Sequence, residues 1–236
     1  MNRWWQRPKL SGGLGGTAIG TVVRNNTDIG QALVVNLSSS DTTEATAFTW
    51  DVYAFGAGSD LNKDNINLSG LDQTNDFSSP DGLWFGAATN PSGQINPLLW
   101  IQTDDGAYTD VTNCMLLAAI PGNVGDGGAN AKRTITSVDA AGAAREVATN
   151  VGAPLGTDKL RRFLVGPADC EITGLAETPD GRTLFVNIQH PGETPSDRSD
   201  PAQPRRFSNW PDYRPDGRPR SATVVIRCKD GGVIGA

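Results

Sequence analysis

The chain has 236 residues and a formal net charge of −6, an acidic balance that argues against nonspecific binding of duplex DNA, which needs a basic face. Its 28 glycines and 15 prolines favour many short strands over long helices, and its length suggests one domain or two small ones. No run approaches the ~20 consecutive apolar residues of a membrane-spanning helix, and the start of the chain, Met1 to Lys9, has no apolar core of signal-peptide length.

In chain order, Thr17 to Arg24 reads as one strand and Ala32 to Leu37 as the next. Ala47 to Phe55 alternates, which puts Phe48, Trp50 and Val52 on one face. Gly56 to Phe77 is a polar loop, followed by a Ser79-Pro-Asp-Gly82 turn and a short Leu83-Trp-Phe85 strand. Leu98 to Thr103 and Asn113 to Ile120 are further strands. Residues 121–157 are rich in Gly, Asn and Ala, and read as an irregular insertion with room for a strand or hairpin at Arg133 to Val138.

The densest stretch lies further on. Leu160 to Val165 is a strand, Glu171 to Gly174 a short one, Pro179-Asp-Gly181 a turn, and Thr183 to Gln189 a strand that leaves through His190-Pro-Gly192. Thr194 to Arg220 is a long Pro/Asp/Arg loop, and Ser221 to Cys228 is the last strand. Phe48, Trp50, Trp84, Phe85, Trp100, Leu184 and Val186 are the expected core, from alternation and aromatic strand content.

His190 is the chain's only histidine, and a carboxylate and a carboxamide, Glu171 and Asn187, share its strand pair. An acid at one strand end and an Asn/Gln/His cluster at the other make a candidate site on a β scaffold; a solvated hairpin with polar ends is the plain alternative. Alternation places Asn187 and Gln189 on one face. Arg161, Arg162, Arg205 and Arg206 are candidate phosphate forks, or simply solvated surface cations. Cys114, Cys170 and Cys228 are odd in number and contain no CxxC pair, so zinc at its usual spacing is not indicated and a disulfide framework is not supported. The Ser79-Pro-Asp-Gly and Thr178-Pro-Asp-Gly segments form a weak repeat, each read as a type I turn leading into an apolar strand. Turn-strand units at blade-like spacing suggest an all-β β-propeller, here a partial one of several antiparallel blades because a closed ring needs several units of ~40–45 residues. A compact sandwich is the competing architecture.

These residues also carry a resemblance. Ala47-Phe-Thr-Trp-Asp51, Ser79 to Phe85, Leu99-Trp-Ile-Gln-Thr-Asp104, Arg162 to Pro167, Cys170-Glu-Ile-Thr-Gly174, Thr178 to Glu193, Ser208-Asn-Trp-Pro211 and Pro219 to Arg227 resemble, in order, the C-terminal half of PhoX-type alkaline phosphatases. The resemblance runs over roughly residues 47–235, with 1–46 a poorly matching segment, and implies that residues 47–236 are the C-terminal part of the propeller domain. It implies a β-propeller phosphomonoesterase that is secreted to the periplasm or outside, acts on phosphate monoesters as a monomer, and depends on calcium and iron. It implies Glu171, Asp81, Asp104 and Asn187 as metal ligands, Glu171 and His190 as catalytic groups, and His190 and Arg162 as substrate contacts. Oxygen ligands suit such hard cations. The plain alternatives are a solvent-facing acid for Glu171, a turn-capping role for Asp81 and a satisfied structural ring for His190.

The chain departs from the family pattern upstream. No Thr-Cys-Glu-Glu segment is present, and Arg7-Pro8-Lys9 carries lysine where an acid is expected. Two functions follow for comparison: a metal-dependent phosphatase, present here as a fragment or incomplete homologue, or a noncatalytic β-propeller module that binds or supports.

Overall fold

A computed structural model describes residues 17–23, 30–37, 48–86, 98–104, 112–120, 132–138, 143–150, 154–193, 202 and 208–235. The described residues form twelve β-strands. Among them no helix is long and apolar enough to cross a membrane. The chain divides into two compact units, one of Met1–Leu83 with Pro121–Arg161 and one of Trp84–Ile120 with Arg162–Ala236.

In the first unit, β1 (Thr17–Val23), β2 (Gly30–Leu37) and β3 (Phe48–Phe55) form an antiparallel sheet in that order, with a register shift between Ala32 and Leu33. The side chains of Phe48 and Trp50 lie outside the described set. The segment after β3, read above as a polar loop, is ordered by its own amides. Asn67 accepts from the Leu71 N–H at 2.8 Å and donates to the Leu71 carbonyl at 2.9 Å. Asn75 donates to the Leu155 carbonyl at 2.9 Å, and Ser69 accepts from the Phe55 N–H at 2.8 Å. These side chains are buried with Leu68, Leu71 and Phe77, and their bonds satisfy backbone groups that no strand partner meets there. Tyr53 donates to the Lys159 carbonyl at 3.2 Å, and burial, with Asp158 nearby, pushes its phenol up.

The segment expected to be irregular contains a hairpin. β7 (Lys132–Val138) pairs antiparallel with β8 (Ala144–Asn150) through seven residues each. Only the first of these strands was legible, because Ala144-Arg-Glu-Val-Ala-Thr-Asn150 has little of the β-branched and aromatic content that marks a strand.

In the second unit, β5 (Leu99–Thr103), β6 (Met115–Ala119) and β9 (Leu160–Val165) belong to a four-stranded sheet of order β4-β5-β6-β9; the boundary between units passes within β4 (Pro80–Phe85) and β9. The expected turn at Ser79-Pro-Asp-Gly82 is not found. Ser79 takes the bend with φ of 45°, and Pro80 opens the strand, a position at which its missing N–H removes nothing from the ladder. The sequence repeat therefore does not become a structural one. Trp84 and Phe85, expected in the core, are half-buried.

The other sheet has the order β10 (Glu171–Glu177), β11 (Thr183–Gln189), β12 (Ala222–Arg227), antiparallel throughout. β10 runs three residues further than expected. On β11 the sides alternate cleanly. Leu184, Val186 and Ile188 are buried in one core with Trp100, Leu116, Ile172 and Ile234, while Phe185, Asn187 and Gln189 are exposed. Trp100 meets Phe163 edge to face with ring centroids 4.8 Å apart.

The two faces of β11 differ in what they contribute. Leu184→Ala should lower stability by about 2–5 kcal/mol, and Phe185→Ala, on the outward side, by less than about 1 kcal/mol. Urea denaturation monitored by tryptophan fluorescence measures both, and equal losses would show that the strand's inward side is wrongly assigned.

Candidate functional site

The polar end of the β10–β12 sheet is assembled by register. Glu171 pairs with Gln189, Thr173 with Asn187, and Asn187 with Thr223, so these side chains stand on the outward face in neighbouring rows. Gln189 Nε2 donates to Glu171 Oε2 at 2.7 Å, and the Thr223 hydroxyl donates to Asn187 Oδ1 at 2.7 Å. A bulge at Gly174 makes room for Asn187. Gly174 has φ of 36°, and a Cβ there would stand 2.6 Å from Asn187 Nδ2.

Two turns close the ends of β11. At its start, Thr178-Pro-Asp-Gly181 is the expected turn, with the Gly181 N–H bonded to the Thr178 carbonyl at 2.8 Å. Asp180 accepts from the Thr178 hydroxyl at 2.6 Å and from the Arg182 N–H at 3.1 Å, and these two bonds hold its carboxyl below the usual range. Asp180 therefore serves its turn. At the far end, His190-Pro-Gly-Glu193 is a second turn. The Glu193 N–H bonds the His190 carbonyl at 3.1 Å, Pro191 sits at the second position, and Gly192 has φ of 77°, the pattern of a type II turn. This turn is tied to the preceding loop by the Gly192 N–H to the Ala168 carbonyl at 2.9 Å and by the Glu193 N–H to the Asp169 carbonyl at 3.2 Å.

The turn brings two carboxylates to one imidazole. Glu193 Oε2 is 2.7 Å from His190 Nδ1, and Glu171 Oε2 is 3.3 Å from His190 Nε2. Nδ1 is buried, and its contact with Glu193 lies outside hydrogen-bonding geometry. The Glu171 side chain is only 12% exposed against 36% for His190. His190 itself has φ of 34°, a left-handed backbone that a non-glycine residue adopts at a cost, and its N–H bonds the Ser221 hydroxyl at 3.0 Å.

Behind Glu171 the chain turns sulfur-lined. Cys170 and Cys114 are buried free thiols, and Cys228 is a half-buried one. Gly166 lies against both buried cysteines: its N–H bonds the Cys114 carbonyl at 2.9 Å, and a Cβ on it would stand 2.3 Å from Cys170 Sγ. Burial first, and Cys114 next, push the Cys170 thiol up to about 12.

Of the expected site residues, Glu171 and His190 are in direct contact, and Asn187 is on the same outward face. Arg162 on β9 is half-buried and Asp104 at the end of β5 is exposed, both in the same unit; Asp81 lies on β4 in the first unit. None of these three is without a partner. Arg205 and Arg206 lie outside the described residues. Glu193, Ser221 and Thr223 belong to the cluster and were not singled out from sequence; the Pro-Gly pair after His190 was the available signal for Glu193, since a type II turn brings its first and fourth residues together. Among the described residues no group of three or more His, Cys, Asp or Glu side chains is arranged to hold a metal ion. Glu171 Oε2, the best hard donor, is already shared by Gln189 and His190. The cluster by itself does not make a complete calcium or iron site.

A family model described as alkaline phosphatase PhoX matches residues 16–192. Among solved structures, the chain is similar to Pseudomonas fluorescens PhoX in complex with vanadate, a transition state analogue, with 25% sequence identity and a TM-score of 0.63. The match covers 99% of this chain and 34% of that one, so the chain spans about a third of that protein's length. No curated protein matches the chain.

Two measurements test this geometry. Gly192→Ala places a side chain at φ of 77° and should cost at least about 1 kcal/mol, read from the urea midpoint; an unchanged midpoint would remove the left-handed turn. The Cys170 thiol is raised in the folded state, so folding favours its protonated form. That stabilisation is complete below about 9 and is lost as the pH rises through about 12. Melting temperature should therefore fall across this window, and less steeply in Cys170→Ala.

Proposed function

This chain belongs to the PhoX alkaline phosphatase family, and from that premise we propose that it contributes to metal-dependent hydrolysis of phosphate monoesters, with the outward end of the β10–β12 sheet as its part of the site. The observation that carries the proposal is the direct contact of Glu171 with both Gln189 and His190 in a family-matched segment. Vanadate in the related structure mimics a phosphoryl group at its transition state, and a cluster rich in donors and carboxylates suits such a group when cations balance the charge.

The residues take separate tasks. Glu171 is an oxygen ligand and the residue nearest the chemistry, and Asn187, fixed by Thr223, is a second oxygen donor on the same face. Asp81 and Asp104 are further candidate ligands. His190 contacts the phosphoryl oxygens and moves a proton, and Arg162 is a candidate fork for the same oxygens. Calcium and iron, when bound, neutralise phosphoryl charge and activate the attacking oxygen. The cluster is not a complete metal site, and no step is assigned through those ions. The β-propeller, with residues 47–236 as its C-terminal part, and secretion to the periplasm or beyond are part of the same proposal, as is the monomeric state.

A noncatalytic module is the second reading. It is favoured by the Glu171 carboxylate's being already engaged by Gln189 and His190, as in a cluster that braces the end of a sheet.

The 236-residue chain should hydrolyse p-nitrophenyl phosphate weakly or not at all, with any turnover stimulated by calcium, inhibited by vanadate and removed by chelator. Glu171→Gln should abolish that turnover with little change in melting temperature, since it removes a charge and keeps the shape. Robust hydrolysis that ignores chelator would refute the metal-dependent mechanism. A chain with no turnover that is also not stabilised by vanadate would be the module.

A further inference from the structure

We infer that Cys114 and Cys170 are a latent disulfide pair: under oxidising conditions they form one bridge that ties the start of β6 to the start of β10 and leaves Cys228 as the free thiol. The inference is independent of the phosphatase reading, which assigns no task to any cysteine.

Two strand starts bring the sulfurs together. Cys114 immediately precedes β6, Cys170 immediately precedes β10, and both are buried in the core that holds Leu116 and Ile172. Gly166 stands between them. Its N–H bonds the Cys114 carbonyl at 2.9 Å, and the Asn113 side-chain amide donates to the Gly166 carbonyl at 3.0 Å, so the two segments are tied side by side. Cys170 Sγ fills the space in which a Gly166 side chain would stand. The sulfur of one cysteine is thus packed on the residue whose backbone is bonded to the other. A disulfide spans Cβ atoms only ~3.5–4.5 Å apart, so it needs packing of this kind. Electrostatics agree with it. After burial, Cys114 is the strongest influence on the Cys170 thiol, ahead of Asp169 and Glu171, its own neighbours in the chain. A thiol outranks two flanking carboxylates only from close by. Cys228, by contrast, follows β12 and leans on the Val233 carbonyl at 3.8 Å.

Access determines when the bridge forms. Cys114 and Cys170 are 2% and 4% exposed, so an external oxidant reaches them while the chain is folding or transiently open, and burial then protects the product. The oxidant is a disulfide, either a small organic one or that of an oxidoreductase, such as an oxidising compartment supplies. Its S–S bond is cleaved and reduced to two thiols, the Cys114–Cys170 S–S bond forms, and the two cysteine protons pass to the departing sulfurs. The closed segment includes the β7–β8 hairpin and β9. Closing so long a segment removes freedom from the unfolded chain and so favours the folded one.

The 236-residue chain is unfolded, reduced and refolded in a mixture of oxidised and reduced glutathione, and in parallel with dithiothreitol. Remaining thiols are alkylated under denaturing conditions and mapped by peptide mass, with tryptophan fluorescence as the check on folding. The glutathione sample should lose two of its three alkylatable thiols, with the Cys114 and Cys170 peptides linked. It should melt roughly 5–15 °C above the reduced sample. Cys228→Ser should give the same link. A folded glutathione sample that keeps all three thiols, a link that includes Cys228, or a linked chain that melts no higher than the reduced one overturns the inference. If the chain does not refold, protein that was never unfolded is incubated with the same glutathione mixture at its urea midpoint, where it opens and recloses, and the same peptide map decides.

Discussion

Burial of Leu184, Val186 and Ile188 in one core with Trp100, Leu116 and Ile172 determines which way β11 faces, and the polar cluster depends on that choice. Strand side chains alternate strictly, so a slip of one residue would carry Asn187 and Gln189 inward and expose three apolar side chains. Each of the three buried aliphatics contributes roughly 1.5–3 kcal/mol, whereas a hydrogen bond such as Gln189 to Glu171 typically contributes about 0.5–1.5 kcal/mol net. The apolar side therefore sets the register, and the outward groups receive their positions from it. The register in turn pairs Glu171 with Gln189 and Asn187 with Thr223.

Much of this was legible from residues alone. The alternation of Thr183 to Gln189 announced its inward and outward sides, and the Thr178-Pro-Asp-Gly181 turn appeared where its proline and glycine required it. The matching Ser79-Pro-Asp-Gly82 segment failed for a physical reason: proline is also acceptable as the first residue of a strand, and four letters do not distinguish the two uses. β8 was invisible because its partner strand, and not its composition, makes it a strand. The ordered segment after β3 looked like a solvated loop because buried Asn67 and Asn75 are polar residues that do the work of backbone.

The candidate site was half legible. Asn187 and Gln189 share the outward face of β11, as strand alternation suggested, and Glu171 and His190 meet at the end of that strand pair. Glu193 was missed because its neighbourhood with His190 depends on a turn type, which is set by the φ of Gly192. Asp81 stands on β4, outside the β10–β12 sheet, so the register that assembles the cluster does not place it. The all-β character follows from glycine, proline and alternation.

The bulge at Gly174 has a meaning for descent as well as for packing. Ile172 pairs with Ile188 and Leu175 with Val186, so both point inward although they are three residues apart, an odd spacing that a regular strand would send to opposite faces. Gly174 is the extra residue that resets the phase. The two halves of β10 are thus separate reading frames joined at one glycine. Substitutions on either side can accumulate independently, and deleting the extra residue itself would leave a regular strand, with Leu175 still inward, Ala176 still outward and Glu171 with its partners untouched.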